Sequence, residues 1–293
     1  MAKQSRTPNT PPASTLVLRD LHERYVQKAR PLPRAVEQAL KQDERPGAQR
    51  ILQAVALRRG ENRSEGQRLR ALLAMENELW GQGVLRVAGL DEAGMSPLAG
   101  PVAAAAVIFA PNTHIAGVND SKQLSAVQRA TLATQIKHKA VAWSVAFAHP
   151  LEIDQLNIYW AGILAMERAV EGLLPVAQHL LIDGRRLNKV ALPQTKVVHG
   201  DARCFCIAAA SILAKTARDE VMVEMDRRFP GYGFAQHKGY PVAQHVEALQ
   251  KLGASPIHRR SFAPVRRALG LPVTEEAGGP AEASSEANAI ASD

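Results

Sequence analysis

The strongest constraint on this chain is one stretch, Val87 to Phe109, in which two apolar segments flank an acidic turn rich in glycine and proline. The first segment, Leu85–Leu90, has the length and flanking residues of a buried strand. Asp91 and Glu92 close it, and Gly94, Pro97, Gly100 and Pro101 precede a second apolar run, Val102–Phe109. Side chains alternate along a strand, so neighbouring acids converge only where the strand ends and the backbone turns. The glycines permit that turn. An acid pair by itself is most often a solvated turn. Here small and apolar residues hem it in, and the pair reads as a candidate site.

At 293 residues the chain can hold one large domain plus an appendage. No apolar run reaches bilayer length, and the polar, Pro-rich segment Met1–Thr15 lacks a signal-peptide core, so a soluble cytoplasmic protein is expected, with no membrane partner. The formal charge is +8, and residues 273–293 hold five acids without a Lys or Arg, leaving the rest more basic still. That balance suits a polyanionic partner such as nucleic acid. The only cysteines are Cys204 and Cys206. Two positions apart on a helix they point different ways, which makes a poor metal pair, and they read as buried small residues.

The expected organisation is a disordered segment 1–15, a helical extension 16–80, a catalytic-looking domain 81–271 and a disordered acidic tail 272–293. Within the extension, breaks are expected at Pro31–Pro33, at Pro46-Gly47 and near Gly60. The domain is expected to carry strands at Arg86–Leu90, Val102–Phe109, Val141–Ala148, Ala177–Ile182 and Thr195–Val198. Its helices are expected from Ser125 to about Lys139, over Glu152–Gly172, over Ala202–Phe229 and over Val242–Leu252, with a short basic helix at the end. The long crossover into the fourth strand allows it to lie parallel to the first. The fold class is therefore α/β: a mixed five-stranded sheet flanked by helices, with an N-terminal helical appendage and C-terminal helices.

Two further acids stand where chemistry would need them. Asp183 ends the apolar run Leu180–Ile182, and Asp201 precedes a helix, where backbone N–H groups favour the ionised form. Either alone reads as a turn or cap residue. If the first and fourth strands are neighbours, Asp91 and Asp183 share one carboxyl edge, where open α/β sheets place ligands. Clustered carboxylates repel in a partly dry site, so a cation must hold them together. Oxygen ligands without His or Cys select Mg²⁺ or Mn²⁺ over zinc.

The run Gly89-Leu-Asp-Glu-Ala-Gly94, continued by Leu98-Ala-Gly-Pro-Val102, closely resembles the first motif of the ribonuclease HII family. The resemblance extends from about Leu72 to Arg267 and includes Ile207–Lys215, His237-Lys-Gly-Tyr240 and Pro256–Val265. It implies the ribonuclease H-like fold and its strand order. It also implies an endonuclease that cuts the RNA strand of RNA–DNA hybrids, including ribonucleotides embedded in duplex DNA, and leaves 5′-phosphate ends. Asp91, Glu92, Asp183 and Asp201 match the family's metal-binding, catalytic carboxylates, for two divalent ions. Gly94, Met95, Ser96, Lys122, Lys215 and Tyr240 fall at substrate-binding positions, with Tyr240 packing on the sugar at the junction. The chain departs from the family at Met95 and Ser96, where Arg and Gly are usual. A monomer is expected, and contact with a replication clamp is left open. The sister class, ribonuclease HIII, fits less well, because its first motif differs and its N-terminal extension contains strands. The rival from another class is a hybrid-binding protein without catalysis.

Overall fold

The computed structural model describes residues 17–273. The stretches expected to be disordered, 1–15 and all but the first two residues of 272–293, lie outside the described residues. Two compact units divide the chain, Met1–Arg70 and Ala71–Asp293.

In the first unit, helix α1 (Leu18–His22) runs on as a π-turn (Glu23–Gln27), followed by α2 (Arg34–Lys41) and α3 (Pro46–Leu72). Tyr25, Leu32, Leu40, Ala48, Ile51 and Val55 make its core. Pro33 caps α2 from an extended conformation and Pro46 opens α3, as proline's fixed φ and missing N–H dictate. The break expected near Gly60 is absent. One exposed helical glycine costs about 1 kcal/mol, too little to end a 27-residue helix. Helix α4 (Ala74–Gly81) falls in the second unit, so the division comes ten residues before the expected one.

The second unit is built on one mixed sheet, β1 (Val87–Ala93), β2 (Val102–Ile108), β3 (Ala142–Ala148), β4 (His179–Asp183) and β5 (Gln194–Val197), in the order β3-β2-β1-β4-β5. The first three strands form an antiparallel meander; β4 is parallel to β1, and β5 to β4. Strand β2 is buried throughout, which is why it reads as a continuous run of Ala and Val rather than an alternation.

Helix α5 (Ala126–Lys139) starts at a Ser125–Gln128 capping box. The single helix expected over Glu152–Gly172 is two, α6 (Pro150–Leu156) and α7 (Ile158–Glu171). Asn157 adopts a positive φ of 68° between them, and its side chain caps the N–H of Trp160. The helix expected over Ala202–Phe229 is likewise split into α8 (Gly200–Arg203) and α9 (Phe205–Arg228) by an extended Cys204. Short helices α10 (Phe234–His237), α11 (Ala243–Leu252) and α12 (Ala263–Ala268) complete the unit.

Helix α7 covers one face of the sheet, where Ala161, Ala165, Met166 and Ala169 join Ala88, Leu90, Leu180 and Ile182 in the main core. Helix α9 covers the other face so closely that a Cβ on Gly89 would lie 2.2 Å from the carbonyl carbon of Cys206. Strand β1 runs three residues past its expected end, and Asp91 and Glu92 still pair with Ala105 and Ala104. The two acids are therefore still in the ladder, one rung short of its end at Ala93 and Ala103, on opposite faces, and do not converge at a turn.

Candidate active site

The parallel register of β1 and β4 places Leu90 beside Ile182, and one further step sets Asp91 opposite Asp183. Asp91 is 5% exposed, and its Oδ1 accepts the Glu92 N–H at 2.8 Å. Burial, then the neighbouring Glu92 and Asp183, push its carboxyl well above the usual range, and a hydrogen bond with Ser211 on α9 offsets only part of this. Glu92 leaves the other face and pairs with Arg185, Nη2 to Oε1 at 3.1 Å. Its second oxygen is buried without a hydrogen-bond partner. Burial raises the Glu92 carboxyl, against the pull of Arg185.

Asp183 is fixed by the Gly200 N–H, which donates to its Oδ1 at 2.7 Å. Gly200 has to be glycine here, since a Cβ would sit 2.6 Å from Ile207 Cδ1 and 3.3 Å from that carboxylate oxygen. Asp201 follows, half-buried. The expectation that a helix N-terminus favours its ionised form is reversed: burial, then Asp120 and Asp183, raise its pKa against Lys122. The reason is local. Helix α8 has only four residues, and its cap position is taken by His199 in a left-handed conformation, not by Asp201. Asp183 is thus the common neighbour of the other three acids. The four share one end of the sheet without closing to the spacing of a single-ion cage, which among the described residues another group does reach.

The turn after β1 is held by two buried arginines that sequence reasoning passed over. Arg259 donates to the carbonyls of Gly94 (2.6 Å), Met95 (3.0 Å), Gly100 (2.9 Å) and Pro101 (3.2 Å). Arg218 donates to those of Ala99 (3.1 Å) and Pro101 (3.0 Å). Burial lowers the Arg259 guanidinium to about 9. At Gly94, φ is +93°, and a Cβ would fall 2.0 Å from Arg218 Nε, so only glycine fits. Met95 turns inward onto the main core beside α7, while Ser96 is exposed.

Tyr240 and Lys215 meet around the same Arg218. The Lys215 ammonium lies 5.3 Å from the Tyr240 ring centre and the Arg218 guanidinium 5.7 Å from it. Lys215 is also paired with Asp219 at 2.8 Å. Lys122, exposed on a 3-10 turn, stands apart from this group and acts on Asp201. Tyr240 is positioned by a histidine relay. The Ser255 N–H donates to His258 Nδ1 at 2.9 Å, so the His258 proton is on Nε2, 3.1 Å from His245 Nε2. His245 Nδ1–H then donates to the Tyr240 carbonyl at 2.9 Å. Arg185 was within reach of sequence reasoning, two residues beyond Asp183. Arg218 was not, because nothing local marks a helical arginine as buried.

A mixed sheet in this order, with helices on both faces and acids at the carboxyl ends of β1 and β4, defines the ribonuclease H-like class of α/β proteins. A profile of the family described as ribonuclease HII matches residues 88–265. Ribonuclease HII of Anaeromyxobacter sp. (strain Fw109-5) is 56% identical over 252 residues, covering 86% of this chain and 80% of the relative. That of Myxococcus xanthus (strain DK1622) is 52% identical over 256 residues, covering 87% of each. The chain belongs to the ribonuclease HII family, and its enzyme class is ribonuclease H type 2. Among solved structures, the ribonuclease H2 from Pyrococcus horikoshii OT3 aligns with a TM-score of 0.54 at 24% identity, covering 63% of this chain and 97% of that one, a likeness of fold. Among the described residues no helix is long and apolar enough to cross a membrane.

Proposed function

We propose that Asp91, Glu92, Asp183 and Asp201 together hold Mg²⁺ or Mn²⁺ and hydrolyse the RNA strand of RNA–DNA hybrids, including single ribonucleotides embedded in duplex DNA, leaving 5′-phosphate and 3′-hydroxyl ends. The observation that carries this is the uncompensated charge at the end of β1. Glu92 Oε2 is buried without a donor, and three of the four carboxyls sit above their ordinary range. An all-oxygen set of this kind fits hard divalent ions. Such ions supply activation of water and charge stabilisation at a phosphoryl centre.

The remaining work belongs to the chain. The N–H groups of Glu92 and Gly200 orient Asp91 and Asp183, fixing where each carboxylate points before any ligand arrives. Arg185 neutralises Glu92 and is the cation most directly placed to release it. Arg259 and Arg218 hold the carbonyl side of Gly94–Pro101, leaving the N–H groups of Met95 and Ser96 without an acceptor among the described residues and free to donate to a phosphate or a 2′-hydroxyl. The half-buried Tyr240 ring offers a surface for the sugar at the RNA–DNA junction, with Lys215 beside it for a phosphate and Lys122 for another near Asp201. A binder without catalysis is the poorer reading, because acids clustered near phosphates weaken binding and serve only a metal.

The test is direct. The full-length protein, given Mg²⁺ or Mn²⁺ and an end-labelled hybrid, should cut the RNA strand. Intact substrate under both metals, together with tight binding, would leave the binder.

A further inference from the structure

Beneath the α9 face lies a second cluster that the nuclease reading does not use. Cys204 is not helical: its φ and ψ of −138° and 127° place it in extended chain just before α9, while Cys206 sits in the first turn. The sulfurs therefore converge at 3.5 Å instead of pointing apart. Glu76 on α4 meets them. Its Oε1 lies 3.3 Å from Cys204 Sγ and accepts the Cys206 N–H at 2.8 Å. The three donor atoms all lie within 4.8 Å of one another, and each residue is at most 1% exposed. Glu76 Oε2 is buried with no partner, so the carboxylate holds a free ligand position in the cluster.

We propose that Glu76, Cys204 and Cys206 form a structural site for one soft or borderline divalent ion, of which Zn²⁺ is the type. A tetrahedral zinc with bonds of about 2.3 Å to sulfur sets two thiolates about 3.8 Å apart, so the pair needs to open only slightly. Two sulfurs and both Glu76 oxygens complete four positions and leave none for substrate, which marks the site as structural. The exchange balances: two S–H bonds break, their protons pass to solvent, two sulfur–metal bonds form, and the net charge of the pocket is unchanged. Burial holds both thiols protonated in the free protein, so binding should strengthen as pH rises. An ion here ties α4 to the segment three residues after Asp201. Thiolate donors take the softer ion while the carboxylates at the sheet end take the harder one.

The experiment titrates reduced full-length protein with Cd²⁺ in excess Mg²⁺, reading the ultraviolet thiolate-to-cadmium charge-transfer band, and repeats it with Zn²⁺, reading the thermal midpoint and proton release. One equivalent of ion should give the band, release two protons and raise the midpoint. The Cys204→Ser/Cys206→Ser double variant can keep hydrogen bonds to Glu76 and should lose the band. Glu76→Gln should weaken binding about tenfold or more, and Asp91→Asn should leave it unchanged. Absence of the band in the wild-type protein, or its survival in the double variant, would reduce the cluster to a helix cap. Should the double variant fail to fold, Cys204→Ser alone should lose about half the band or more, since one of two thiolates is gone, and a band of full wild-type intensity there would overturn the site. Loss of hybrid cleavage with the band intact would count against the nuclease reading and not against this one.

Discussion

Arg185 and Glu92 form an ion pair at 3.1 Å, with both side chains mostly buried, at the point where the acidic cluster needs a cation. The guanidinium occupies one Glu92 oxygen and leaves the other without a partner. It also rests 4.9 Å from the Tyr159 ring centre and donates to the Tyr159 carbonyl at 3.3 Å, so it has a second anchor when Glu92 is drawn away.

Arg185 should therefore compete with the metal. Removing it as Arg185→Met leaves Glu92 without its counter-charge and lowers metal-free stability by about 1–3 kcal/mol. The same change should tighten Mn²⁺ binding, measured by calorimetry. Unaltered Mn²⁺ affinity would mean that the pair is structural only.

Glycine at position 89 sets the distance between β1 and α9. A methyl group there meets the Cys206–Ile207 peptide at 2.2–2.5 Å, and backbone cannot step aside as a side chain can. Gly89→Ala should cost about 3 kcal/mol, at the upper end for overpacking, and should slow cleavage by moving Ser211 away from Asp91. Chemical denaturation checks the first effect; a midpoint equal to wild type would show that the helix can lift off the sheet freely.

The histidine relay predicts a pH dependence with a defined sign. His258 is pushed down to about 4 by burial and by His245. An unfolded histidine takes its proton near 6.5, so between 6.5 and 4 the unfolded chain binds more protons, and stability falls as pH falls across that window. At 1.36 kcal/mol per unit the loss is at most about 3.4 kcal/mol. Protonation at Nδ1 also breaks the bond from Ser255 and disturbs the Tyr240 carbonyl contact. The raised carboxyls of Asp91, Glu92 and Asp201 act in the opposite sense, favouring the folded state where they are protonated and withdrawing that support as pH rises through their folded values. A proton NMR titration placing His258 near 6.5 would remove the relay from the account.

By its resemblance to the ribonuclease HII motif, the loop is expected to carry Arg and Gly where this chain has Met95 and Ser96. Met95 packs inward, close enough that a Cβ on Gly162 would lie 3.2 Å from its sulfur, and so brings no charge to the loop. Loss of one charge-assisted contact to phosphate or sugar costs about 1–3 kcal/mol. Met95→Arg with Ser96→Gly should raise incision at a single embedded ribonucleotide by about tenfold, with long hybrids affected less. Equal rates on the single-ribonucleotide substrate would show that the loop is not limiting.

Much of this was legible in the sequence because local signals agreed with the tertiary structure. The apolar runs bounded by Gly and Pro gave all five strands to within a few residues, and the helix expected up to about Lys139 is α5. What escaped was decided at a distance. Asn157 and Cys204 interrupt runs with no Pro or Gly at the break to mark it, the first through a positive φ and the second where Glu76 accepts the Cys206 N–H. Asp201 looked like a cap and is instead raised by acids remote in sequence. Arg218 and Arg259 look like surface arginines, and only the fold reveals that they hold the carbonyls of the motif loop.

In the proposed function, acids far apart in the chain act as one site, and Asp183 is the member that links the others. Cleavage of an end-labelled RNA–DNA hybrid by wild type and Asp183→Asn, with hybrid affinity measured in parallel, tests it most directly. Binding should be unchanged and cleavage slower by at least about a hundredfold, or ~2.7 kcal/mol. Undiminished cutting by Asp183→Asn would contradict it.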